Sequence, residues 1–510
     1  MLQSKSNHSY PHDRFAWAWF VVGALLLPFT AGQSAVPIAV WLAPIFLLRF
    51  VRTQRAIVAL PLVALAYFAA VTNAFRTSLP FPMAYLAGVV GMVAVLPYGL
   101  DRLVGARLNG VARTLVFPLT LTLIDWLIAF GPLGSGMTAA YSQVGNLPLL
   151  QIVSVTGVWG LTFLIAWAAP VANELWEQGT DWRAAWPALA IFGGVVLAVL
   201  FFGGARLAFA TTPSATVRVA GLTHDKALWA ELPYGTIEVA TGADTLRAAM
   251  RPHYARMLDE LATRTRRAAA AGAKIVVWSE AAAFLLKEDE PAVLDQLRTL
   301  ARQEGIYLQA GLNVILRTDH YPFAENRALM VDPTGAIVWN YFKTVHPFGD
   351  RFIFAPGPGL IPSVMTPYGR VATVICFDAD FPALLRQAGQ AGVDLLLVPS
   401  HDWEAVKTIH MQVHLLRAIE NGVTLVRPTG DGISLVADPL GRVLATADDF
   451  VTAKPLMITD VLVRGMSTLY ARTGDLFVYL CLAAWVALVG VALRPKRAAE
   501  TVVTGEPVHA

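Results

Sequence analysis

The sequence is poor in charge and almost free of cysteine. Only 15% of its 510 residues are charged, whereas soluble proteins carry about 25%. Its two cysteines, Cys376 and Cys481, cannot build the disulfide framework of a small secreted protein. A net charge of +3 without a clustered basic tract argues against nucleic acid as a partner. The sequence has neither a phosphate-binding glycine loop nor a cysteine–histidine cluster with ligand spacing, so we expect no cofactor and no metal.

The sequence is instead rich in long runs of hydrophobic residues. Hydrophobic residues make up 56% of the chain, and they concentrate in runs close to the roughly 20 residues that span a bilayer. A second run follows the first almost at once, so the first is interpreted as a span and not as a signal peptide. The runs predict eight transmembrane helices, at Phe15–Ala31, Ala35–Phe50, Ile57–Phe75, Met83–Leu100, Leu115–Phe130, Leu149–Val171, Trp186–Gly203 and Gly474–Leu493.

These runs divide the chain. We predict a bundle of seven membrane helices in residues 1–210, an extramembrane domain in residues 211–465, and a last membrane helix with a cytoplasmic tail in residues 466–510. Asp125 is the only acidic residue that we place inside a span. Because ion and solute pathways usually need ionisable groups in mid-membrane, a transport function is disfavoured and the bundle is predicted to be an anchor.

Basic residues in the short loops predict the orientation. With the N-terminus inside, the outside loops hold only Arg76, and the inside segments hold all the other basic residues near the spans. The positive-inside rule then places residues 211–465 outside the cytoplasm, in the periplasm of a Gram-negative cell. The inside residues are Lys5, Arg14, Arg49, Arg52, Arg55, Arg102, Arg107, Arg113, Arg183, Arg494, Lys496 and Arg497.

The extramembrane domain alternates strand and helix patterns, which indicates an α/β layered fold. Turns with Pro and Gly at Asp332–Gly335 and Asp438–Gly441 predict hairpins, hence a mixed sheet. Predicted strands are Thr216–Leu222, Lys274–Trp278, Tyr307–Val314, Arg327–Val331, Ile337–Tyr341, Val371–Phe377, Asp394–Val398, Val423–Arg427 and Ile433–Ala437. Predicted helices are Leu246–Ala271, Ala292–Glu304, Ala383–Ala391 and Lys407–Asn421.

Three reactive side chains stand at or near predicted strand ends, where sites in α/β sheets gather. They are Glu280, Lys343 and Cys376. Cys376 is the only thiol of the extramembrane domain and has no disulfide partner there, so it is either a buried core residue or a nucleophile. A thiol needs a base to become a thiolate, a carboxylate can be that base, and an ammonium can stabilise the developing negative charge. Together the three residues predict a Glu-Lys-Cys catalyst.

Two further patterns lie near these residues. The Gly/Pro-broken loop Arg351–Pro362 carries Phe352 and Phe354. It is either a lid or acyl-chain entrance facing the bilayer, or a loop packed down on its own domain. His410 and His414 are spaced for one helix face, but no Glu accompanies them as in a zinc protease, so we expect a surface pair.

At these residues the sequence resembles the nitrilase, or carbon-nitrogen hydrolase, superfamily, and within it the bacterial apolipoprotein N-acyltransferases. Further similar segments are Pro347–Gly349, Arg417–Glu420, Thr468–Asp475, Asp125–Leu127 and Tyr141–Gln143. The resemblance covers about residues 15–493 and implies eight membrane helices around a periplasmic nitrilase domain of αββα type. It implies Glu280 as the base, Lys343 as its cationic partner and Cys376 as the nucleophile.

The chain departs from the family pattern in several motifs. Trp278-Ser279-Glu280 stands for Trp-Pro-Glu, and His401-Asp402-Trp403 alters the Asn-Asp-x-Trp element. Asp350 and Asp378 stand where the family has Glu, so we predict supporting roles for them in orienting Lys343 or the lid. Arg427–Gly430 replaces Arg-Ala-Thr-Asn, and Gly131–Gly134 replaces Phe-Pro-Trp.

The resemblance implies transfer of an acyl chain from a membrane phospholipid, through a Cys376 thioester, to the N-terminal amine of a diacylglyceryl-cysteine lipoprotein. Phe352, Phe354 and Tyr141 are the predicted substrate-binding residues, and we expect a monomer. The alternatives are a membrane-tethered nitrilase-type amidase, in which water resolves the thioester, and a degenerate relative that acts as a scaffold. The intact triad argues against the scaffold.

Overall fold

The computed structural model describes residues 13–494 except 78, 80, 180–181, 211–214 and 453–455. The basic residues Lys5, Lys496 and Arg497, which entered the orientation argument, lie outside the described residues. The helices of the first part are α1 Ala16–Leu26, α2 Ala39–Thr53, α3 Ala56–Phe75, α4 Phe81–Gly91, α5 Leu96–Leu103, α6 Gly110–Ile128, α7 Leu147–Leu150, α8 Val153–Thr156, α9 Val158–Gln178 and α10 Trp182–Phe209. The last helix of the chain is α18, Leu476–Leu493.

Six of the described helical segments are long and apolar enough to cross a membrane, rather than the predicted eight: α3, the continuous segment Pro82–Arg107 that contains α5, and α6, α9, α10 and α18. The first two predicted spans correspond to shorter helices. α1 continues in a 3₁₀ turn to Phe29, and α2 has 15 residues, about 22 Å of helix against a hydrocarbon core of about 30 Å. The chain is a membrane protein with at least these apolar helices.

The predicted span Leu149–Val171 has different bounds in the structure. α7 and α8 are single turns, Gly157 adopts a left-handed backbone with φ of 66°, and the long helix α9 starts only at Val158. A Cβ at Gly157 would lie 2.5 Å from Cε2 of Tyr470. The break therefore uses glycine both for its backbone freedom and for close packing, and it shifts the span towards its carboxyl end.

A buried ion-pair network joins several helix ends of the bundle. Arg52, at the end of α2, makes two hydrogen bonds of 2.8 Å to Asp101 in α5 and one of 3.1 Å to Glu177 in α9. Arg113 in α6 contacts Glu177 at 2.8 Å and Glu174 at 3.3 Å. The helix α9 thus contains two acidic residues beyond the predicted span, and each is compensated by arginine, as burial of charge requires.

The extramembrane part contains two mixed sheets. The first has seven strands in the order β15-β1-β2-β4-β5-β6, with β3 paired to β4, and the second has six in the order β14-β13-β11-β9-β8-β7. The strands are β1 Thr216–Leu222, β2 Ile275–Trp278, β3 Ala283–Leu286, β4 Tyr307–Ile315, β5 Ala324–Val331, β6 Ile337–Phe342, β7 Ser363–Thr366, β8 Gly369–Thr373, β9 Leu395–Leu397, β10 Ser400–His401, β11 Thr424–Arg427, β12 Thr429–Gly430, β13 Ile433–Ala437, β14 Val443–Asp448 and β15 Leu456–Leu462. The short strands β10 and β12 pair with each other.

Strand alternation builds the layers. In β2, Ile275 and Val277 pack between the sheets, whereas Val276 and Trp278 face the outer helices, as the two-residue period of a strand requires. The outer layers are helices on both sheets, which makes the domain an αββα sandwich. Its helices are α11 Lys226–Ala230, α12 Thr236–Thr241, α13 Asp244–Ala270, α14 Glu290–Glu304, α15 Pro382–Gln390, α16 Lys407–Asn421 and α17 Leu469–Thr473.

The domain is packed directly on the membrane bundle. Val413, Leu416 and Ile419 of α16 share a buried cluster with Leu150 and Val153 of the broken segment before α9. Polar contacts support this apolar one: Gln151 donates to the carbonyl of Leu440 at 3.0 Å, and the Ser135 amide donates to the carbonyl of Asp380 at 3.0 Å. The extramembrane domain and the bundle therefore share one continuous interior.

Candidate active site

Glu280 lies two residues beyond β2, in the gap between the two sheets. The side chain is buried, and its carboxylate has three partners. Oε1 accepts from the Lys343 ammonium at 2.6 Å and from the Asn326 amide at 2.7 Å, and Oε2 accepts from the His401 backbone N–H at 3.0 Å. These partners come from β5, β10 and the residue after β6, so strands far apart in sequence fix the position of one carboxylate.

Lys343 directly follows β6 and is only 1% exposed. Its backbone N–H donates to the carbonyl of Asn326 at 3.0 Å, which continues the pairing of β5 with β6. Its second anionic neighbour is Asp350, with 3.6 Å between Nζ and Oδ2. A buried ammonium needs such compensation, and the contact brings the predicted supporting residue Asp350 to Lys343.

Cys376 lies in a strained turn three residues after β8, and not at the end of a strand as the sequence predicted. It starts the 3₁₀ turn Cys376–Asp380 with a left-handed φ of 46°, a conformation that is uncommon without glycine and that gathers at functional sites. Its N–H donates to the carbonyl of Pro399 at 3.0 Å, and its thiol lies 3.5 Å from the carbonyl oxygen of His401. The turn takes Cys376 out of the strand register, and the residue lines the same cavity as Glu280 and Lys343.

Burial and mutual charge set the protonation of these groups. Burial is the largest influence on the pKa of Glu280 and would raise it, but the Lys343 ammonium, His401 and the Asn326 amide together lower the net pKa. Burial is the largest influence on the pKa of Lys343 and would lower it, but Glu280, with smaller contributions from Cys376 and Asp350, raises the net pKa. Burial, followed by the charge of Glu280, raises the pKa of the Cys376 thiol well above its ordinary value. The resting state is thus a carboxylate–ammonium pair beside a neutral thiol.

Asp378 fixes the segment that carries Lys343. Its Oδ1 accepts from the backbone N–H groups of Thr344 and Val345 at 3.0 and 2.7 Å, and its Oδ2 accepts from the Tyr341 hydroxyl at 2.8 Å and from the Ile375 N–H at 3.0 Å. The carboxylate therefore ties the chain on both sides of Lys343 to the turn that carries Cys376.

A cavity of about 780 Å³ connects the three reactive side chains with the membrane bundle. Glu280, Lys343 and Cys376 line one part of it. The other part is apolar and is formed by α3, α4, α6 and the loop after α6, with Phe75, Met83, Leu86, Val90, Leu127 and Pro132 among its walls. An apolar channel from a nucleophile into a membrane helix bundle suits a ligand with a long hydrocarbon chain.

The three predicted substrate-binding residues differ in where they lie. Phe354 is buried and lines the cavity, whereas Phe352 is 56% exposed and packs on Phe348, which lines the cavity. Tyr141 is not among the residues of the cavity wall. Its hydroxyl lies in a buried polar cluster with Ser135 and Arg417 at the contact between bundle and domain. In the loop Arg351–Pro362, one aromatic ring packs inwards and the other is exposed.

The prediction of a surface pair at His410 and His414 was wrong, because both side chains are buried. His410 Nδ1 lies 2.9 Å from Oδ1 of Asp402, whose Oδ2 accepts from Arg427 at 2.8 Å. Arg427 also donates to Nδ1 of His414 at 2.7 Å. Burial lowers the pKa of His414 to about 4, with the Arg427 charge adding to that effect. His410, Asp402 and Cys376 approach one another, with one polar atom of each within 4.8 Å.

Sequence reasoning missed two partners of the carboxylate. Asn326 is the third residue of β5 and stands between the charged residues Glu325 and Arg327, so its local sequence offers little to distinguish it. His401 acts through its backbone, which no side-chain pattern can signal, although the altered motif at this position did mark it as a departure.

Comparison with known proteins gives a consistent result over most of the chain. Residues 245–464 match the carbon-nitrogen hydrolase family, and residues 17–171 match the N-terminal domain of apolipoprotein N-acyltransferase. The apolipoprotein N-acyltransferase of Geobacter metallireducens is 26% identical over 419 residues, 76% of each chain. Apolipoprotein N-acyltransferase 2 of Treponema pallidum is 27% identical over 436 residues, 76% of this chain and 77% of its own. Among solved structures, an amidase from Nesterenkonia sp. is similar over 53% of this chain and 98% of its own, at 20% identity and a TM-score of 0.40.

Proposed function

The chain belongs to the apolipoprotein N-acyltransferase family, and we propose that it moves an acyl chain from a membrane phospholipid to the N-terminal amine of a diacylglyceryl-cysteine lipoprotein. The observation that carries this proposal is the continuous cavity from Cys376 to the apolar walls of α3, α4 and α6. A small amide needs no such channel, whereas a phospholipid can keep its tails among these helices while its ester reaches the thiol.

In the first step, the Cys376 sulfur attacks the ester carbonyl of the phospholipid. As the S–C bond forms, the thiol proton passes to Glu280, since a neutral thiol is a poor nucleophile and a carboxylate beside it can act as the general base. The Lys343 ammonium stabilises the negative charge that develops on sulfur and on the carbonyl oxygen. The C–O bond to the glycerol then breaks, Glu280 returns the proton to the leaving alkoxide, and the products are lysophospholipid and a Cys376 thioester.

In the second step, the lipoprotein amine attacks the thioester. Glu280 accepts a proton from the amine and returns it to the departing Cys376 thiolate, so the N–C bond forms as the S–C bond breaks and the starting state is restored. Both substrates are anchored in one bilayer, which raises their effective concentration at the cavity. The low pKa of Glu280 keeps it ionised for both proton transfers.

The supporting assignments follow from the contacts of Lys343. We assign Asp378 to holding the backbone on either side of Lys343, and Asp350 to compensating its charge from the solvent side. Phe354 is assigned to the cavity wall that receives the substrate, and the exposed Phe352 to its mouth. All of these residues belong to one chain, which is consistent with an enzyme that works as a monomer.

The membrane arrangement belongs to the same proposal. We propose that α1 and α2 also cross, so that eight helices anchor the enzyme in the inner membrane, with residues 211–465 as the periplasmic catalytic domain between the bundle of residues 1–210 and the last segment, 466–510. Arg52 lies at the end of α2, and Trp41, near its start, bonds Gln143 beside the domain. The basic end of this helix therefore points away from the catalytic domain, as a periplasmic domain requires.

The deciding experiment separates transfer from hydrolysis. Purified enzyme and phospholipid alone should give a stable acyl-Cys376 thioester and one equivalent of lysophospholipid, both visible by mass spectrometry. A diacylglyceryl-cysteine peptide should then discharge the thioester and emerge N-acylated. Continuous release of free fatty acid without the peptide, or cleavage of small amides with no thioester from any phospholipid, would favour the tethered amidase instead.

A further inference from the structure

A second group of polar side chains lies behind the proposed base. His224 follows β1, His401 belongs to β10 and Asp431 follows β12 in a left-handed conformation. Nε2 of His401 is 3.1 Å from Oδ2 of Asp431, and Nε2 of His224 is 3.6 Å from the same oxygen. One donor atom from each residue lies within 4.8 Å of the other two. The end of β1 and the paired short strands β10 and β12 therefore bring two imidazoles and a carboxylate to one point.

Hydrogen bonding accounts for only the His401 side of this arrangement, where Nε2 is 3.1 Å from the Asp431 carboxylate. The 3.6 Å between His224 and Asp431 is too long for a hydrogen bond, yet it is close to the spacing of two ligand atoms on one ion, since ligands about 2.1 Å from a tetrahedral zinc ion lie roughly 3.4 Å apart. His224 is 1% exposed, and its Nδ1 has no hydrogen-bond partner among the described residues. A buried imidazole with few polar partners is costly; coordination would leave Nδ1 unpaired but would give Nε2 a ligand bond in place of the 3.6 Å contact with Asp431.

We propose that His224, His401 and Asp431 form a three-ligand site for a divalent ion of the zinc class, with water in the fourth position. Two histidines and one carboxylate suit such ions, whereas magnesium and calcium prefer oxygen ligands. The site needs little rearrangement. Lys226 is now 2.8 Å from Oδ1 of Asp431, but it also contacts Asp449, 2.9 Å from its carbonyl and 3.4 Å from Oδ2. An incoming ion can replace Lys226 at Asp431 while the ammonium keeps its other partner.

An ion at this site is connected to the reactive groups through one residue. The backbone N–H of His401 donates to Glu280, and its carbonyl oxygen lies 3.5 Å from the Cys376 thiol. Coordination of the His401 ring would therefore restrict the backbone that holds the base and the nucleophile. The site is a means by which metal in the extracytoplasmic space could adjust the reactivity of the enzyme.

A rival location for the ion is the neighbouring group of Cys376, Asp402 and His410. There the carboxylate of Asp402 already accepts from Arg427 at 2.8 Å and is fully buried. A guanidinium in contact with the carboxylate opposes the entry of a second cation, because no solvent separates them. The His224 site has no such fixed guanidinium partner in the described chain, and the two locations predict different effects of replacing the thiol.

The test is zinc binding by the full-length enzyme in detergent, purified with a tag that contains no histidine. Isothermal titration with Zn²⁺ and metal analysis after dialysis should find one equivalent on the wild type. His224→Ala and Asp431→Asn should each lose that equivalent, and Cys376→Ala should retain it. His320→Ala is the matched control, since His320 forms an exposed pair with Asp319 at 2.8 Å and should retain the equivalent too.

Each result decides the assignment, and none of them bears on the transferase proposal. A wild type that binds no more zinc than His224→Ala overturns the site, as does loss of the equivalent in Cys376→Ala. Alkylation of Cys376 gives a second readout. Zinc should change its rate in the wild type and in His320→Ala but not in His224→Ala. Equal protection in all three proteins would place the ion on the thiol and end the proposal.

Discussion

Replacing Lys343 with methionine removes a buried cation but keeps an unbranched side chain of similar length. Lys343 is the largest cause that lowers the pKa of Glu280, and burial is the cause that raises it. Without the ammonium, burial prevails and the pKa of Glu280 rises. Loss of a charge-stabilising donor typically costs about 10²–10³-fold in rate, and breaking a buried ion pair costs about 3–5 kcal/mol of stability. Protonation of Glu280 relieves part of that stability cost at low pH.

The pH dependence gives this prediction its sign. In the wild type, Glu280 has a depressed pKa, so the stability from its ion pair is present above the ordinary pKa of the carboxyl group and is lost as the pH falls through the lowered one. The rate of acylation should accordingly fall only at a pH below 4.5, the ordinary pKa of a glutamate. In Lys343→Met the base is protonated at higher pH, so the acid limb should move upwards while the plateau falls by about 10²–10³-fold.

The assay is single-turnover release of lysophospholipid, measured across pH together with thermal unfolding. Lys287→Met is the matched control, because Lys287 forms exposed pairs with Glu290 and Glu325 and its loss should change neither the rate nor the acid limb. The idea that Lys343 lowers the pKa of Glu280 and stabilises the developing charge would be refuted by either of two results. One is a plateau rate of Lys343→Met within about tenfold of the wild type, and the other is an acid limb that does not move.

The remaining predictions concern the nucleophile, the supporting carboxylates and the topology. Cys376→Ala should abolish acyl-enzyme formation while leaving thermal unfolding near that of the wild type, and residual turnover would end the nucleophile assignment. Asp378→Asn should lower the free energy of unfolding by about 1–3 kcal/mol and should raise the activation barrier for kcat by a similar amount, since the amide NH₂ group would face a backbone N–H donor. Asp350→Asn should cost less than about tenfold in kcat, because the contact is longer and partly exposed; the reverse order of the two effects would contradict the geometry. A reporter active only in the periplasm should give signal when fused after Phe209 and none when fused after Arg494, and the opposite pattern would overturn the topology.

Much of the fold could be predicted because local patterns carry it. The strand Thr216–Leu222, the strand Ile433–Ala437 and the helix Lys407–Asn421 have the predicted bounds, since each is a single apolar or amphipathic run. Among the strands that were missed, β7 and β14 have weak local signals. β7 and β14 are half exposed along their length, so their sequences resemble loops, and only pairing with β8 and β13 makes them strands.

In the membrane part, counting apolar residues does not predict where each helix begins and ends. The run from Leu149 to Val171 looks continuous, but the close approach of Tyr470 to Gly157, more than three hundred residues away in sequence, accompanies the break before α9. For the histidines of α16, the sequence pattern predicted too much exposure. Their spacing suggested a solvated face, and they are buried because the Asp380 turn and the Arg427 strand pack on that face and supply partners.

By itself the sequence determined which reactive groups are present: one extramembrane thiol, a carboxylate and a lysine near strand ends, and enough apolar length to anchor them in a membrane. These are properties of composition and short-range order, and they survive any arrangement of the elements. Only the tertiary structure decided how those groups act together. The 2.6 Å contact between Lys343 and Glu280, the backbone of His401 beneath both base and thiol, and the channel into α3, α4 and α6 all join segments far apart in the chain. Such contacts depend on how the two sheets and the bundle pack, which no local pattern encodes.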